Sequence, residues 1–124
     1  MQALKSLQNG KTVALIRAAC EMGIYISGKE EYIQTGRAFG EHLGLSFQIR
    51  DDILDVTGDF STLGKKIGSD EQNGKTTFVT LLGVKECEKL VESETCSALY
   101  ALHKTPFWTD EIKNIAISLQ NRNL

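Results

Sequence analysis

Proline occurs once in these 124 residues, at position 106, so a proline-rich linker is excluded and no proline interrupts a helix anywhere before that point. An excess of either charge is missing too. With 14 Lys and Arg against 16 Asp and Glu, the formal net charge of −2 excludes a general nucleic-acid binder that works through a diffuse basic surface. Cysteine is sparse and odd in number. Cys20, Cys87 and Cys96 form no C-x-x-C pair and adjoin no histidine cluster, which argues against a disulfide framework or a zinc site and predicts reduced, buried thiols. No run of 18 apolar residues exists, and the N-terminus lacks a continuous apolar stretch. Neither an integral membrane segment nor a signal peptide is expected, and the predicted location is cytoplasmic. What is present is 41% hydrophobic and 24% charged residues, the composition of a folding globular chain.

The apolar residues recur with helical spacing throughout, and no segment alternates with period two for long, so the fold class read from the pattern is all-α. From Thr12 to Ile26 the segment is apolar around almost its whole circumference, with Arg17 and Glu21 marking one polar edge. Such a helix needs neighbours on several sides. Gly28 stops it, and one long helix is predicted from Gly28 to Gly58, with Tyr32, Phe39, Leu43 and Phe47 on its apolar face. Gly36, Gly40 and Gly44 recur every four residues along it. Each costs a helix roughly 1 kcal/mol relative to Ala, so the stripe points to a close approach of another helix or of a ligand.

Between Asp59 and Lys75 the periodicity disappears into a long polar loop containing Gly64, Gly68 and Gly74, the type of loop usually kept for function. Helical spacing resumes after Thr76 and runs to Pro106, and a last helix starts at the N-cap Thr109, with Asp110 and Glu111 in its first turn.

Chemistry concentrates in Gln48 to Asp55. Steps of three and four place Gln48, Asp52 and Asp55 on one face, with Asp51 one turn before Asp55. Carboxylates at this spacing repel by roughly 0.2–0.5 kcal/mol per pair, and a hard divalent cation such as Mg²⁺ would compensate them. The bland alternative is a solvated acidic patch. Against it stand Ile49, Ile53, Leu54 and Val56, which bring the acids close to a core or cavity rim where unpaired charge is expensive. Lys11, Lys65 and Lys75 supply cations that could meet the same anion.

Other motifs fail on spacing. Gly68 to Gly74 encloses five residues where a P-loop has four, and an EF-hand with Gly58 at position six would put Ile53 where a carboxylate is required. His42 and His103 read as surface or satisfied packing residues, and Phe107 and Trp108 as a hydrophobic anchor for the last helix. Arg122 reads as part of a frayed tail instead of an anion ligand.

Four segments together carry a resemblance. Q-I-R-D-D-I-L-D at 48–55, G-D-F-S-T-L-G-K at 58–65, D-E-Q-N-G-K-T-T at 70–77 and G-K-T-V-A-L-I-R-A-A at 10–19 make the chain similar to trans-isoprenyl diphosphate synthases, nearest to the bacterial farnesyl diphosphate synthase (geranyltranstransferase) type. The resemblance runs from about Lys11 to the C-terminus. It implies the C-terminal half of an isoprenoid-synthase helical bundle, residues 1–124 forming the C-terminal portion of a polyprenyl synthase domain whose N-terminal half, with its own aspartate-rich motif, is not in this sequence.

By that resemblance Asp51, Asp52 and Asp55 would bind Mg²⁺, with Asp51 the best single ligand. Lys11, Lys65 and Lys75 would contact an allylic diphosphate, and Thr12 and Gln48 would line the reaction centre, so that Lys11, Thr12, Gln48 and Lys75 form the catalytic set. The implied partners are an allylic diphosphate and isopentenyl diphosphate, the cofactor is Mg²⁺, and the intact protein would be a homodimer. The chain alone would be inactive. Two alternatives come from other classes: a non-catalytic helical interaction module, and a terpene cyclase, which the K-T start and the G-K loop disfavour.

Overall fold

The computed structural model describes residues 10–57 and 77–123, and among them every regular element is helical, as the pattern requires. Helix α1 spans Lys11–Ile26. It ends where the Ser27 hydroxyl donates to the Ile24 carbonyl at 2.6 Å and Gly28 adopts a φ of +79°, a left-handed turn that favours glycine.

A short 3₁₀ turn, Glu30–Tyr32, then leads into α2, Ile33–Thr57. The long helix predicted from Gly28 is therefore α-helical only from Ile33. Its predicted end at Gly58 and the following polar loop lie outside the described residues.

Helix α2 is the centre of the described residues, with α1 on one flank and the helix Val84–Leu102 on another. The glycine stripe forms the seam with α1. A Cβ on Gly40 would lie 2.6 Å from the Cα of Arg17, one on Gly44 would lie 3.0 Å from the Cα of Val13, and one on Gly36 would run into the Ile24 side chain. Close helix–helix approach, one of the two meanings left open by the sequence, accounts for all three. The seam is antiparallel and is bordered by ion pairs from Arg17 to Glu41, at 3.2 Å, and from Arg37 to Glu21.

In the second described stretch, Thr77 caps α3, Phe78–Leu82. The Thr77 hydroxyl accepts from the Thr80 amide at 3.2 Å, and the Thr80 hydroxyl accepts from the Thr77 amide at 2.8 Å. Gly83, at φ +83°, breaks the chain before α4, Val84–Leu102, so the helical spacing expected between Thr76 and Pro106 is carried by two helices. Helix α5, Asp110–Gln120, starts at Thr109, whose hydroxyl accepts from the Ile112 amide at 3.1 Å.

Two apolar clusters hold the helices. Leu45, Ile49, Ile53, Phe78, Val79, Cys87 and Val91 pack at one end, and Phe39, Leu43, Ala98, Leu102 and Ala116 at the other. Phe107 and Trp108 pack against the second cluster, as anchors for α5, and Phe107 meets Tyr32 edge-on at 5.7 Å. The thiols are free, and the expectation that all are buried is corrected for Cys96, which is exposed. Cys87 is buried and Cys20 partly so. On the outer side of α1, Leu15 is 72% and Ile26 80% exposed, with Met22 and Tyr25 exposed beside them. Its all-round apolar surface thus finds only part of its cover among the described residues. None of the described helices is long and apolar enough to cross a membrane.

Candidate functional site

The last two turns of α2 are fixed by their apolar residues. Ile49 and Ile53, 0% and 1% exposed, insert between α3 and α4 and so determine where the intervening polar side chains face. Asp52 follows them inward and is 3% exposed. Its Oδ1 accepts from Gln48 Nε2 at 3.3 Å, and its Oδ2 accepts from the Phe78 backbone amide at 3.3 Å. A carboxylate at the start of α3 faces the positive end of the peptide dipoles and satisfies an amide that the helix itself leaves unpaired. Asp55 is also buried.

Asp51 differs from both. Its side chain is 47% exposed and lies at the rim, where Arg122 Nη2 donates to Oδ1 at 3.3 Å. The same guanidinium donates to the Phe47 carbonyl at 3.3 Å and stacks 4.2 Å above the Phe47 ring. Arg122 is therefore anchored, and the expectation of a frayed tail is overturned: contacts among the described residues that hold it after the end of α5 include an ion pair, a backbone acceptor and an aromatic face. Nothing in the local sequence pattern marks this contact, because its partners lie more than 70 positions away.

The glycine seam positions the predicted basic end. Its register, Gly36 on Ile24, Gly40 on Arg17 and Gly44 on Val13, carries the N-terminal end of α1 toward the part of α2 that bears Gln48 and the aspartates. Lys11 is the first residue of α1 and exposed, and Thr12 beside it is half-buried. The positive end of the α1 dipole thus points toward the acidic end of α2, a polarity that favours anions on that side. Lys65 and Lys75 lie outside the described residues. Among the described residues no three His, Cys, Asp or Glu side chains converge on one metal position.

A second polar group lies farther up the α2–α4 interface. His42 Nδ1 is 2.6 Å from Glu94 Oε2, and Ser46 Oγ is 2.8 Å from Thr95 Oγ1. These contacts make His42 a satisfied packing residue, as the sequence suggested. His103 Nδ1 lies 2.9 Å from the Tyr100 carbonyl.

Comparison with known proteins places the sequence in a family. The family described as Polyprenyl synthetase matches residues 1–115. Farnesyl diphosphate synthase of Micrococcus luteus is 36% identical over 124 residues, which cover 99% of this chain and 43% of the relative. The Escherichia coli K12 farnesyl diphosphate synthase is 43% identical over 91 residues, 72% of this chain and 30% of the relative. An all-trans-nonaprenyl-diphosphate synthase (geranyl-diphosphate specific) of Rhodobacter capsulatus is 42% identical over 80 residues, 64% of this chain and 25% of the relative. The chain spans less than half the length of these curated relatives.

Proposed function

The chain belongs to the polyprenyl synthetase family, and from that premise we propose that residues 1–124 are the C-terminal portion of a synthase that condenses an allylic diphosphate, dimethylallyl or geranyl, with isopentenyl diphosphate to give farnesyl or longer diphosphates. The observation that carries the reading is the pairing of opposite ends: the N-terminal end of α1, with Lys11 and Thr12, lies toward the end of α2 that bears Asp51, Asp52 and Asp55.

The donor set fits Mg²⁺. All donors are hard oxygens, and one accessible carboxylate, Asp51, lies within about one turn of two buried ones on α2, in keeping with an ion that takes one or two protein carboxylates and completes its shell with water and phosphate oxygens. Asp51 would be the direct ligand. Asp52, whose oxygens also serve Gln48 and Phe78, and Asp55 would hold charge behind it. When bound, Mg²⁺ would supply Lewis-acid charge to the diphosphate oxygens.

The chain's own residues account for the rest. Lys11, Lys65 and Lys75 bind the diphosphate and stabilise the negative charge that builds on its oxygens as the allylic carbon–oxygen bond breaks, more in the transition state than in the substrate. Thr12 and Gln48 line the resulting allylic cation. The double bond of isopentenyl diphosphate attacks it, and a proton leaves to the released diphosphate. The activity belongs to the intact domain acting as a cytoplasmic homodimer, and the 124-residue chain alone is inactive.

Titration of inorganic diphosphate into the chain with and without Mg²⁺ tests the site. Mg²⁺-dependent binding that Asp51→Ala abolishes is expected, and binding indifferent to both Mg²⁺ and the substitution would overturn the assignment. A second reading, a helical interaction module without catalysis, is favoured by the exposed apolar face of α1. Mixing the chain with the N-terminal part of a relative separates the two, since only the synthase reading expects incorporation of isopentenyl diphosphate by the folded complex.

A further inference from the structure

Arg122 comes to the rim of the acidic ridge from the opposite end of the described chain, 71 positions after Asp51. Its acceptors, the Phe47 carbonyl and Asp51 Oδ1, belong to residues one turn apart on α2, and the Phe47 ring supplies a platform 4.2 Å beneath the guanidinium. The side chain is 17% exposed against 47% for Asp51, so the cation is the more deeply seated partner. Attractions of different kind thus fix one positive charge on the carboxylate assigned above as the accessible metal ligand.

Resting on that assignment, we propose that Arg122 is a resident cation that competes with the divalent metal for Asp51, so that filling the metal site releases the segment after α5. Without metal, Asp51, Asp52 and Asp55 would repel one another within a single turn, and a guanidinium tethered to the fold relieves this for as long as no metal is bound. A divalent ion arriving at the same carboxylate repels the guanidinium, and the stronger charge wins. Arg122 then leaves Oδ1 and with it the Phe47 ring. Arg122 is a positioning residue in this scheme. It holds Asp51 and the C-terminal segment in place until metal and diphosphate arrive.

The test uses the whole 124-residue chain with inorganic diphosphate present. Mg²⁺ affinity is measured by calorimetry for wild type, Arg122→Gln, Arg122→Lys and Asp51→Asn. In parallel, the side-chain proton resonances of Arg122, shifted by the ring current of Phe47, are followed in the wild type. Competition predicts that Arg122→Gln binds Mg²⁺ about two- to fivefold more tightly, the scale of a partly exposed ion pair, and that Arg122→Lys, which keeps charge but loses the planar stack, falls between. It also predicts that the Arg122 resonances move to unshifted positions as Mg²⁺ saturates.

A purely structural arginine would leave affinity unchanged or weaken it on removal, and either result overturns the proposal, as do Arg122 resonances that stay shifted at saturation. If Asp51→Asn loses Mg²⁺ while Arg122→Gln matches wild type, the metal assignment stands and the competition falls. If wild type and Asp51→Asn are alike, or neither binds, both fall together.

Discussion

Neighbouring aspartates on α2 have separable jobs, and substitution tells them apart. Asp52→Ala removes the acceptor of the Phe78 amide at a residue that is 0% exposed, so a buried donor loses its partner. The expected cost is about 1–3 kcal/mol of stability, seen as a lower urea midpoint. Asp51→Asn breaks a half-exposed ion pair and should change stability by less than about 1 kcal/mol while abolishing Mg²⁺-dependent diphosphate binding. The sequence marks all of these carboxylates through their spacing. It does not distinguish the buried from the accessible one, because that depends on how Ile49 and Ile53 seat the helix against residues some 25 to 40 positions later.

Cysteine chemistry divides on the same basis. Burial, and then the charges of Asp52 and Glu86, push the Cys87 thiol from its ordinary 9.0 up to about 11. Because the folded form holds this proton more tightly than the unfolded chain, the associated stability is full below pH 9 and is lost as the pH rises toward about 11. The Cys20 thiol is also raised, by burial and then by Glu21, whereas Cys96 is exposed. Alkylation of the native chain at mildly alkaline pH, followed by peptide mass mapping, should therefore label Cys96 first and Cys87 only on unfolding.

At the scale of elements, a close approach along the glycine stripe was readable, though not which helix or ligand makes it, because glycine is costly in a helix and three at four-residue intervals need a reason. The break at Gly83 was not readable. A single glycine inside T-T-F-V-T-L-L-G-V leaves the helical period intact, and only its φ of +83° shows that the chain turns there. The distinction yields a paired prediction. Gly40→Ala places a methyl 2.6 Å from the Arg17 backbone and should destabilise by about 1–3 kcal/mol, since backbone cannot step aside as a side-chain tip can. Gly23→Ala, inside α1 with nothing within 4 Å of the new methyl, should stabilise by about 0.5–1 kcal/mol. Thermal denaturation of the two variants reads the contrast, and equal shifts would mean that α1 does not rest on α2 as described.

For the molecule as a whole, helices and a central acidic ridge were legible, while the anchoring of Arg122 depended on a fold-back that no local pattern encodes. The outer face of α1 links the fold to the proposed activity. Leu15, Met22, Tyr25 and Ile26 are 61–80% exposed, and side chains that touch little in the native state contribute little to its stability. They nevertheless form contiguous apolar surface, which drives association in water. The isolated chain should consequently elute from size exclusion in a concentration-dependent manner, and the double substitution Leu15→Gln, Ile26→Gln should suppress this while moving the thermal midpoint by less than the Gly40→Ala change does. If that face serves to receive the remaining portion of the synthase fold, the same double variant should fail to restore prenyl transfer when mixed with the N-terminal part of a relative, although its Mg²⁺-dependent diphosphate binding persists. Loss of diphosphate binding in the variant would show instead that the face and the acidic ridge are one cooperative unit, because a change confined to outward-facing residues has no direct contact through which to disturb Asp51.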